Sequence, residues 1–215
     1  MSSRTPLIAA ICDRAFEKIQ NDYAELPYHN LSHTELVLQS ALQLAEDRGL
    51  PESERELLTL AACAHDVIQD RNPLSSDYNA DNEQKSGEWL VSQMKQHPEA
   101  FGGNDLRRAP IIINATYVKH REDGLHQSAQ SGHQLSELLC DADLSALGSP
   151  WDIYEKKMKA YYKELHPNGT PEDWKNYLKL QVSILLQHHY YTKEAQERFY
   201  HLRDNAERVE KMLEG

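Results

Sequence analysis

Three things are scarce in this sequence, and each scarcity excludes a class of protein. Only three cysteines occur among 215 residues, too few and too scattered for a disulfide framework, so a reducing cytoplasm is the expected location. No apolar run approaches the ~20 residues of a membrane-spanning helix. Residues 1–20 carry charged side chains and lack the apolar segment of a secretory signal peptide. We therefore expect a cytoplasmic protein with no membrane partner.

Positive charge is the third scarce feature. The chain has 23 Lys and Arg against 34 Asp and Glu, for a formal net charge of −11 at pH 7. A protein that binds the nucleic-acid backbone needs a basic face, so a nucleic-acid polymer is excluded as a partner. A small phosphorylated molecule remains compatible, provided that a cation at the site overcomes the unfavourable field.

What the chain has in abundance is helical periodicity. Apolar spacing and start signals predict helices at about 5–22, 30–48, 54–66, 80–96, 105–121, 128–141, 151–164, 170–189 and 192–212. The run Ile111-Ile112-Ile113 favours a strand, but we find no second strand candidate to pair with it and interpret the segment as helix. The prediction is an all-α fold.

The most informative segment is an almost wholly apolar helix that ends in His65-Asp66. Residues 57–64 have no polar stripe, which is typical of a central, buried helix. Ser53 and Glu56 predict a capping box at its start. A histidine and a carboxylate at the buried end would be desolvated together. Because an unpaired buried charge is costly, such groups are normally paired or bound to a metal.

A second cluster contains two histidines at helical spacing. His29 and His33 lie four residues apart, so both would point from one face of a helix. A zinc-protease helix with this spacing needs a glutamate directly after the first histidine. Asn30 stands there, which excludes that chemistry. Surface histidines at a helix start are the alternative interpretation.

A third cluster surrounds Asp143, whose apolar neighbours would draw it toward the interior. Its alternative role is a helix cap or a turn aspartate. Taken together, the three clusters offer the imidazoles of His33 and His65 and the carboxylates of Asp66 and Asp143. This mixed nitrogen and oxygen set suits Mn²⁺, Fe²⁺, Co²⁺, Ni²⁺ or Zn²⁺.

In order and spacing, these clusters resemble the HD superfamily of metal-dependent phosphohydrolases, above all a bacterial subgroup of predicted HD phosphohydrolases. The motifs that carry the resemblance are Tyr28-His29-Asn30-x-x-His33, Ala64-His65-Asp66-Val67, Asn82-Glu83-x-x-Ser86, Thr116-x-x-x-His120 and Asp141-Ala142-Asp143-Leu144-x-x-Leu147-Gly148. The resemblance spans about 26–165 and implies an HD-type helical bundle with the metal site between central helices. We expect one domain over residues 1–215, with helices at 170–213 packing on this core.

The resemblance implies that His33, His65, Asp66 and Asp143 hold one or two divalent ions, drawn from Mn, Fe, Co, Ni, Zn and Mg. Asp66 is the residue best placed to bridge to a second ion, and Asp141 competes with Asp143 as the fourth ligand. The implied reaction is hydrolysis of a phosphomonoester or phosphodiester bond in a small molecule, with a nucleotide the expected substrate.

The motifs also supply three candidate catalytic residues. His29 resembles the histidine that protonates the leaving oxygen in cyclic-nucleotide phosphodiesterases, with a helix-start histidine bonded to backbone as the alternative. Glu83 would orient the attacking water or hold a ligand histidine, unless it is a solvated surface residue. His120 is a candidate phosphate contact or second-metal ligand, or a polar helix-end residue. Further candidates for phosphate contact are Arg71, Lys85, Lys119 and Arg121.

Two other functions stay open at this point. Some HD-like proteins bind two irons and use oxygen, which would require extra histidine ligands. The candidates for those ligands are His120, His126 and His133. The other alternative is a non-catalytic module that binds a nucleotide in the same pocket. Nothing in the sequence selects an oligomeric state.

Overall fold

The computed structural model describes residues 4–70, 81–121, 124–129 and 132–214. Within these ranges the chain is almost entirely helical, which confirms the predicted all-α fold. The elements are α1 (Thr5–Tyr23), α2 (Leu31–Asp47), α3 (Glu52–Ala64), α4 (Asn82–Met94), α5 (Gly103–Asn114), β1 (Val118–Arg121), β2 (Gly124–Gln127), α6 (Gln134–Asp143), a 3₁₀-helix (Ser145–Gly148), α7 (Trp151–Leu165), α8 (Pro171–Gln187), α9 (Lys193–Arg198) and α10 (Leu202–Glu214).

Helix α3 is the central, buried helix that its apolar run predicts. Its side chains from Leu60 to Ala64 are buried, and it contacts α1, α2, α4, α5 and α6. The predicted capping box is wrong, because the helix already begins at Glu52 with Pro51 as its N-cap. Ser53 therefore lies inside the first turn. The far end of α3 delivers His65 and Asp66 to the middle of the helical core.

The helix predicted for 105–121 is wrong in its second half. Helix α5 includes the three isoleucines and ends at Asn114, after which β1 pairs antiparallel with β2. Only two residues separate the strands, which is the commonest length for a hairpin connection. The interpretation of the three isoleucines as helix is therefore confirmed, whereas the hairpin that follows them was not predicted. The next helix begins at Gln134 instead of residue 128.

The final helix predicted for 192–212 is divided into α9 and α10. Thr192 caps α9 as its sequence predicts, accepting a hydrogen bond from the Ala195 N–H. Helix α9 ends at Arg198, and the next residue, Phe199, is buried in the core. At this point the backbone of Phe199 passes directly against Gly148, where any Cβ would collide with it.

The helices after residue 150 build a second apolar cluster beside the central core. Its buried members come from α7, α8 and α10, and they are Tyr154, Met158, Tyr177, Leu178, Leu185, Ala206 and Val209. Helix α8 contacts β2, and α10 contacts the 3₁₀-helix that follows α6. Helix α7 lies beside the start of α2, because its Glu164 carboxylate accepts the backbone N–H groups of Tyr28 and His29. The assignment of residues 1–215 to one domain stays a prediction.

Two further observations bear on the expected compartment. A disulfide joins Cys12 of α1 to Cys63 of α3, while Cys140 is free and buried. One disulfide is not a framework, but it differs from what a reducing compartment favours. None of the described helices combines the length and the apolar character that crossing a membrane requires.

The disulfide generates a stability prediction. It links residues 51 positions apart, and closing a loop of that size stabilises a protein by about 2–4 kcal/mol. We expect a reductant to lower the free energy of unfolding by this amount, measured by urea denaturation. In Cys12→Ala the reductant should change nothing. Identical urea midpoints for the wild type with and without reductant would contradict the prediction.

Candidate metal centre

The centre is built where three helices start or end. His33 lies in the first turn of α2, which begins after the Asn30 side chain accepts a hydrogen bond from the Ser32 N–H. His65 is the C-cap of α3, and Asp66 follows it. Asp143 is the last residue of α6. Helix ends thus bring together four side chains that are far apart in the sequence.

The four predicted ligand side chains meet at short distances. His33 Nε2 lies 3.2 Å from Asp143 Oδ1 and 3.3 Å from Asp66 Oδ2. His65 Nε2 lies 3.2 Å from Asp66 Oδ2, 3.7 Å from Asp143 Oδ1 and 3.4 Å from His33 Nε2. Neighbouring ligands bound at about 2.0–2.2 Å to a shared ion stand roughly 3–3.5 Å apart. The spacing of His33, His65 and Asp143 therefore fits a single cation, and Asp66 lies against the two imidazoles beside them.

Two atoms that could accept a hydrogen bond or bind a metal also face the same position. Asp66 Oδ2 is buried and faces the Nε2 atoms of His33 and His65 at 3.3 and 3.2 Å. While both imidazoles are neutral with the lone pair on Nε2, neither donates to it, which is costly for a carboxylate oxygen. The His65 Nδ1–H donates to the Ala62 carbonyl oxygen at 2.8 Å, so in the neutral ring the lone pair is on Nε2, which faces the cluster. A divalent cation would satisfy both atoms.

Two glutamines orient the carboxylates. Gln69 Nε2 donates to Asp66 Oδ1 at 2.9 Å, and Gln127 Nε2 donates to Asp143 Oδ2 at 2.8 Å. Each bond leaves the other oxygen of its carboxylate turned toward the imidazoles. Gln127 is the last residue of β2, so the hairpin serves the centre directly. Sequence reasoning missed both glutamines, since a glutamine amide has no distinctive motif.

The cluster carries strong electrostatic coupling. Burial opposes protonation of His65, but the charges of Asp66 and Asp143 outweigh burial and raise the pKa of His65 to about 9. The pKa of His33 is raised for the same reason. Protons and a metal ion therefore compete for the same nitrogen atoms, and metal affinity is expected to increase with pH.

Asp143, and not Asp141, lies with the two imidazoles. The Asp141 carboxylate accepts hydrogen bonds from the backbone N–H groups of Tyr191 and Thr192, both at 2.8 Å, and from the Thr192 hydroxyl at 2.6 Å. These bonds hold the start of α9 against α6. The choice between the two aspartates that the sequence left open has a structural answer.

Glu83 lies in the first turn of α4, and its carboxyl group interacts with the charges of Asp66, Asp143 and His65. Its Oε2 atom is buried and has no hydrogen-bond partner among the described residues. Burial raises the pKa of Glu83 to about 7, with a further contribution from the charges of Asp66 and Asp143. It does not hold His65, because the Ala62 carbonyl does so. With this pKa, the carboxyl group of Glu83 can both accept and donate a proton near neutral pH.

His29 is held by a residue that sequence reasoning missed. Its Nδ1 atom is hydrogen bonded to Glu164 Oε1, while Glu164 Oε2 accepts the N–H groups of Tyr28 at 2.7 Å and His29 at 3.0 Å. Burial opposes ionisation of Glu164, but these partners outweigh it and lower its pKa to about 2. The pair is separated by 135 residues, so no local pattern could have linked them.

Of the remaining candidates for catalysis or phosphate contact, only Lys85 has a described side chain, and it lies on the surface. His120 lies on β1 opposite Leu125, but its side chain is outside the part of the chain that the structure describes, as are those of Lys119 and Arg121. Arg71 also lies outside the described residues. The Lys85 ammonium pairs with Asp70 at 2.7 Å on the surface.

Two of the three extra histidines that a di-iron site would need, His126 and His133, lie away from the centre. His133 precedes α6 and bonds the Ser136 hydroxyl at 2.7 Å, about 15 Å along the helix from Asp143. His126 neighbours Gln127 on β2. Since side chains alternate along a strand and Gln127 reaches Asp143, His126 faces the opposite side.

Comparison with known proteins agrees with this geometry. A family model described as "HD domain" matches residues 30–145, more than half of the chain, and the match includes all four predicted ligands. The chain therefore belongs to the HD domain family, as its motifs predicted. Members of this family are generally metal-dependent hydrolases, and His33, His65 and Asp143 form a group that could hold a metal ion. No curated protein gives a match.

The two aspartates at the end of α6 allow a matched test of the centre. We expect Asp143→Asn to lower metal affinity at least tenfold, since losing even a residue that only orients a ligand costs about 10–100-fold. Asp141→Asn should keep the metal and instead lower the free energy of unfolding by about 1–3 kcal/mol. Metal analysis after dialysis and urea denaturation provide the two readouts. Equal metal loss in both variants would contradict the placement.

Proposed function

We propose that this protein is a metal-dependent phosphohydrolase that cleaves a phosphomonoester or phosphodiester bond of a small molecule, with a nucleotide as the first substrate to test. The observation that carries the proposal is the convergence of His33, His65, Asp66 and Asp143 at distances of 3.2–3.7 Å inside an HD domain. The buried Asp66 Oδ2 supports it, because a cation would pair with this oxygen when the two neighbouring imidazoles are neutral.

In the proposed enzyme, His33, His65, Asp66 and Asp143 hold the metal. A bound divalent ion lowers the pKa of a water ligand and neutralises charge on phosphoryl oxygens. The protein orients this set. Gln69 donates a hydrogen bond to the Asp66 carboxylate, and Gln127 donates one to the Asp143 carboxylate. Asp66 is the candidate bridge if a second ion binds, and Mn, Fe, Co, Ni, Zn and Mg are the candidate metals.

Proton transfers are assigned to two side chains outside the ligand set. Glu83, with its pKa near 7, is the proposed acceptor for a proton of the attacking water. His29 is the proposed donor to the leaving oxygen. Because Glu164 holds Nδ1, the Nε2 atom of His29 is the one that can deliver a proton. His120 stays a candidate phosphate contact or second-metal ligand.

The cellular location of the proposed enzyme also stays a prediction. A cytoplasmic enzyme is in keeping with the described helices, none of which could span a bilayer. The Cys12–Cys63 disulfide weighs against a reducing compartment, because disulfides persist mainly where the environment is oxidising.

Asp66→Ala tests the proposed reaction. Wild-type protein loaded with Mn²⁺ or Co²⁺ should hydrolyse a panel of phosphorylated metabolites and p-nitrophenyl phosphate equally well with and without O₂. The variant should lose at least about a hundredfold in kcat, since the metal would lose an anionic ligand. The exposed Asp22 on α1 provides the control, Asp22→Ala. Unchanged hydrolysis in Asp66→Ala, a requirement for O₂, or tight nucleotide binding without turnover would each refute the proposal.

Glu164→Gln tests whether His29 acts as the acid. An alkyl leaving group needs a proton and p-nitrophenolate does not, so kcat should fall about 10²–10⁴-fold for an alkyl phosphate. For p-nitrophenyl phosphate it should change only a few fold. His29→Asn should behave in the same way. Equal losses on both substrates would exclude the assignment.

The effect of Glu164→Gln on the free energy of unfolding should depend on pH. The pKa of Glu164 is lowered from 4.5 to about 2 in the folded protein, so its ionised form stabilises the fold above pH 4.5 and this contribution is lost as the pH falls toward 2. We expect Glu164→Gln to be less stable by about 1–3 kcal/mol at pH 7. The difference from wild type should narrow as the pH falls from 5 to 2, as measured by urea denaturation.

A further inference from the structure

A cavity of about 130 Å³ opens directly beside the candidate centre. Asp143 and His29 belong to its lining, so the cavity and the centre share residues. The rest of the wall comes mainly from the 3₁₀-helix, α7 and α8, and it is largely apolar and aromatic. The side chains that matter here are Leu147, Met158, Tyr161, Tyr177, Leu180 and Ile184.

One cationic side chain stands at this cavity among its lining residues. Lys157 Nζ donates to the Ser32 hydroxyl at 3.1 Å and lies 5.9 Å from the centre of the Tyr28 ring. That ring in turn packs on the His33 imidazole, with ring centres 4.7 Å apart. Lys157 therefore lies one aromatic ring away from a predicted metal ligand, in a protein that is strongly acidic overall.

The position of Lys157 is costly without an anionic partner. Burial and, to a lesser extent, the charge of the neighbouring Lys156 lower the pKa of Lys157 to about 8, although the charge of Glu35 opposes this shift. A phosphate oxygen nearby would offset that cost through a charge-assisted hydrogen bond. Lys157 lies far from the sequence motifs and was not among the four basic residues predicted to contact phosphate.

The walls determine what else the site can hold. An apolar cavity of about 150 Å³ in another protein accommodates benzene, so about 130 Å³ suits a single six-membered ring. Polar lining groups are few, and one of them, Gln181, already accepts a hydrogen bond from the Tyr154 hydroxyl at 3.0 Å. A ring without hydroxyl groups fits these surroundings better than a ribose, whose hydroxyls would lose water without gaining partners.

Building on the proposed phosphohydrolase function, we propose that this cavity binds the alcohol side of the ester as an apolar or aromatic ring, while Lys157 pairs with a phosphate oxygen. The substrate class is then a phosphate ester of a phenol-like or ring-bearing alcohol. The ring lies against Tyr161, Tyr177 and Leu180. The phosphate lies toward Asp143, His29 and the metal ligands.

Binding of two phosphonates to the Mn²⁺-loaded protein, measured by calorimetry, tests the ring site without turnover. Phenylphosphonate and methylphosphonate share the anionic group and differ in the ring. We expect phenylphosphonate to bind roughly ten- to a hundredfold more tightly, the range expected for burying a phenyl group. Lys157→Met should weaken both ligands by a similar factor and leave their ratio unchanged.

Helix α8 supplies a matched pair of variants. Leu180 lines the cavity and is 45% exposed, whereas Leu186 on the same helix does not line it and is 52% exposed. Since both side chains are exposed, Leu180→Glu and Leu186→Glu should both fold, which circular dichroism would verify. We expect Leu180→Glu to reduce the preference for phenylphosphonate by about tenfold and Leu186→Glu to preserve it.

The outcomes separate this inference from the proposed function. Equal affinity for the two phosphonates, or an equal effect of the two glutamate variants, would overturn the ring site. Hydrolysis of other phosphate esters that depends on Asp66 would still support the phosphohydrolase. Tight, Leu180-dependent binding of phenylphosphonate without hydrolysis of any phosphate ester would support the ring site and overturn the phosphohydrolase instead.

Discussion

The structure depends on the joint burial of two imidazoles and two carboxylates at the centre of a helical core. Groups of this kind are removed from water only when something else satisfies them. Within the protein, the Ala62 carbonyl, Gln69 and Gln127 satisfy the outward-facing atoms of His65, Asp66 and Asp143. The inward-facing atoms lie 3.2–3.7 Å apart, and a cation is the partner that this spacing and this donor set suit best.

The remaining elements support this arrangement. Helix α3 is apolar because it passes through the core to deliver His65 and Asp66. The hairpin after α5 contributes to the site because its last residue, Gln127, donates a hydrogen bond to Asp143. Helix α7 contributes Glu164 to His29 and a wall to the neighbouring cavity. The C-terminal helices thus form part of the proposed substrate site as well as the second apolar cluster, and this links the chemistry of the centre to the choice of substrate.

Local signals in the sequence were reliable where a single helix decided the outcome. The apolar run of α3, the His65-Asp66 pair and the caps at Thr170 and Thr192 needed only short-range periodicity or capping chemistry. Interpretation was wrong where short segments compete, as at β1. There β1 and β2 are only four residues long, too short for their alternation to stand out from the helical pattern of α5. The Cys12–Cys63 bond was missed because the cysteines lie on different helices.

The sequence by itself determined the helical class and the family, and it predicted His33, His65 and Asp66 for the candidate centre, because these follow from periodicity and from motifs in a set order. Only the tertiary structure decided between Asp141 and Asp143, paired His29 with Glu164, placed Lys157 beside Tyr28 and opened a cavity next to the centre. Each of these features joins side chains from different helices. Such contacts depend on how helices pack against one another, which neither local propensity nor spacing along the chain encodes.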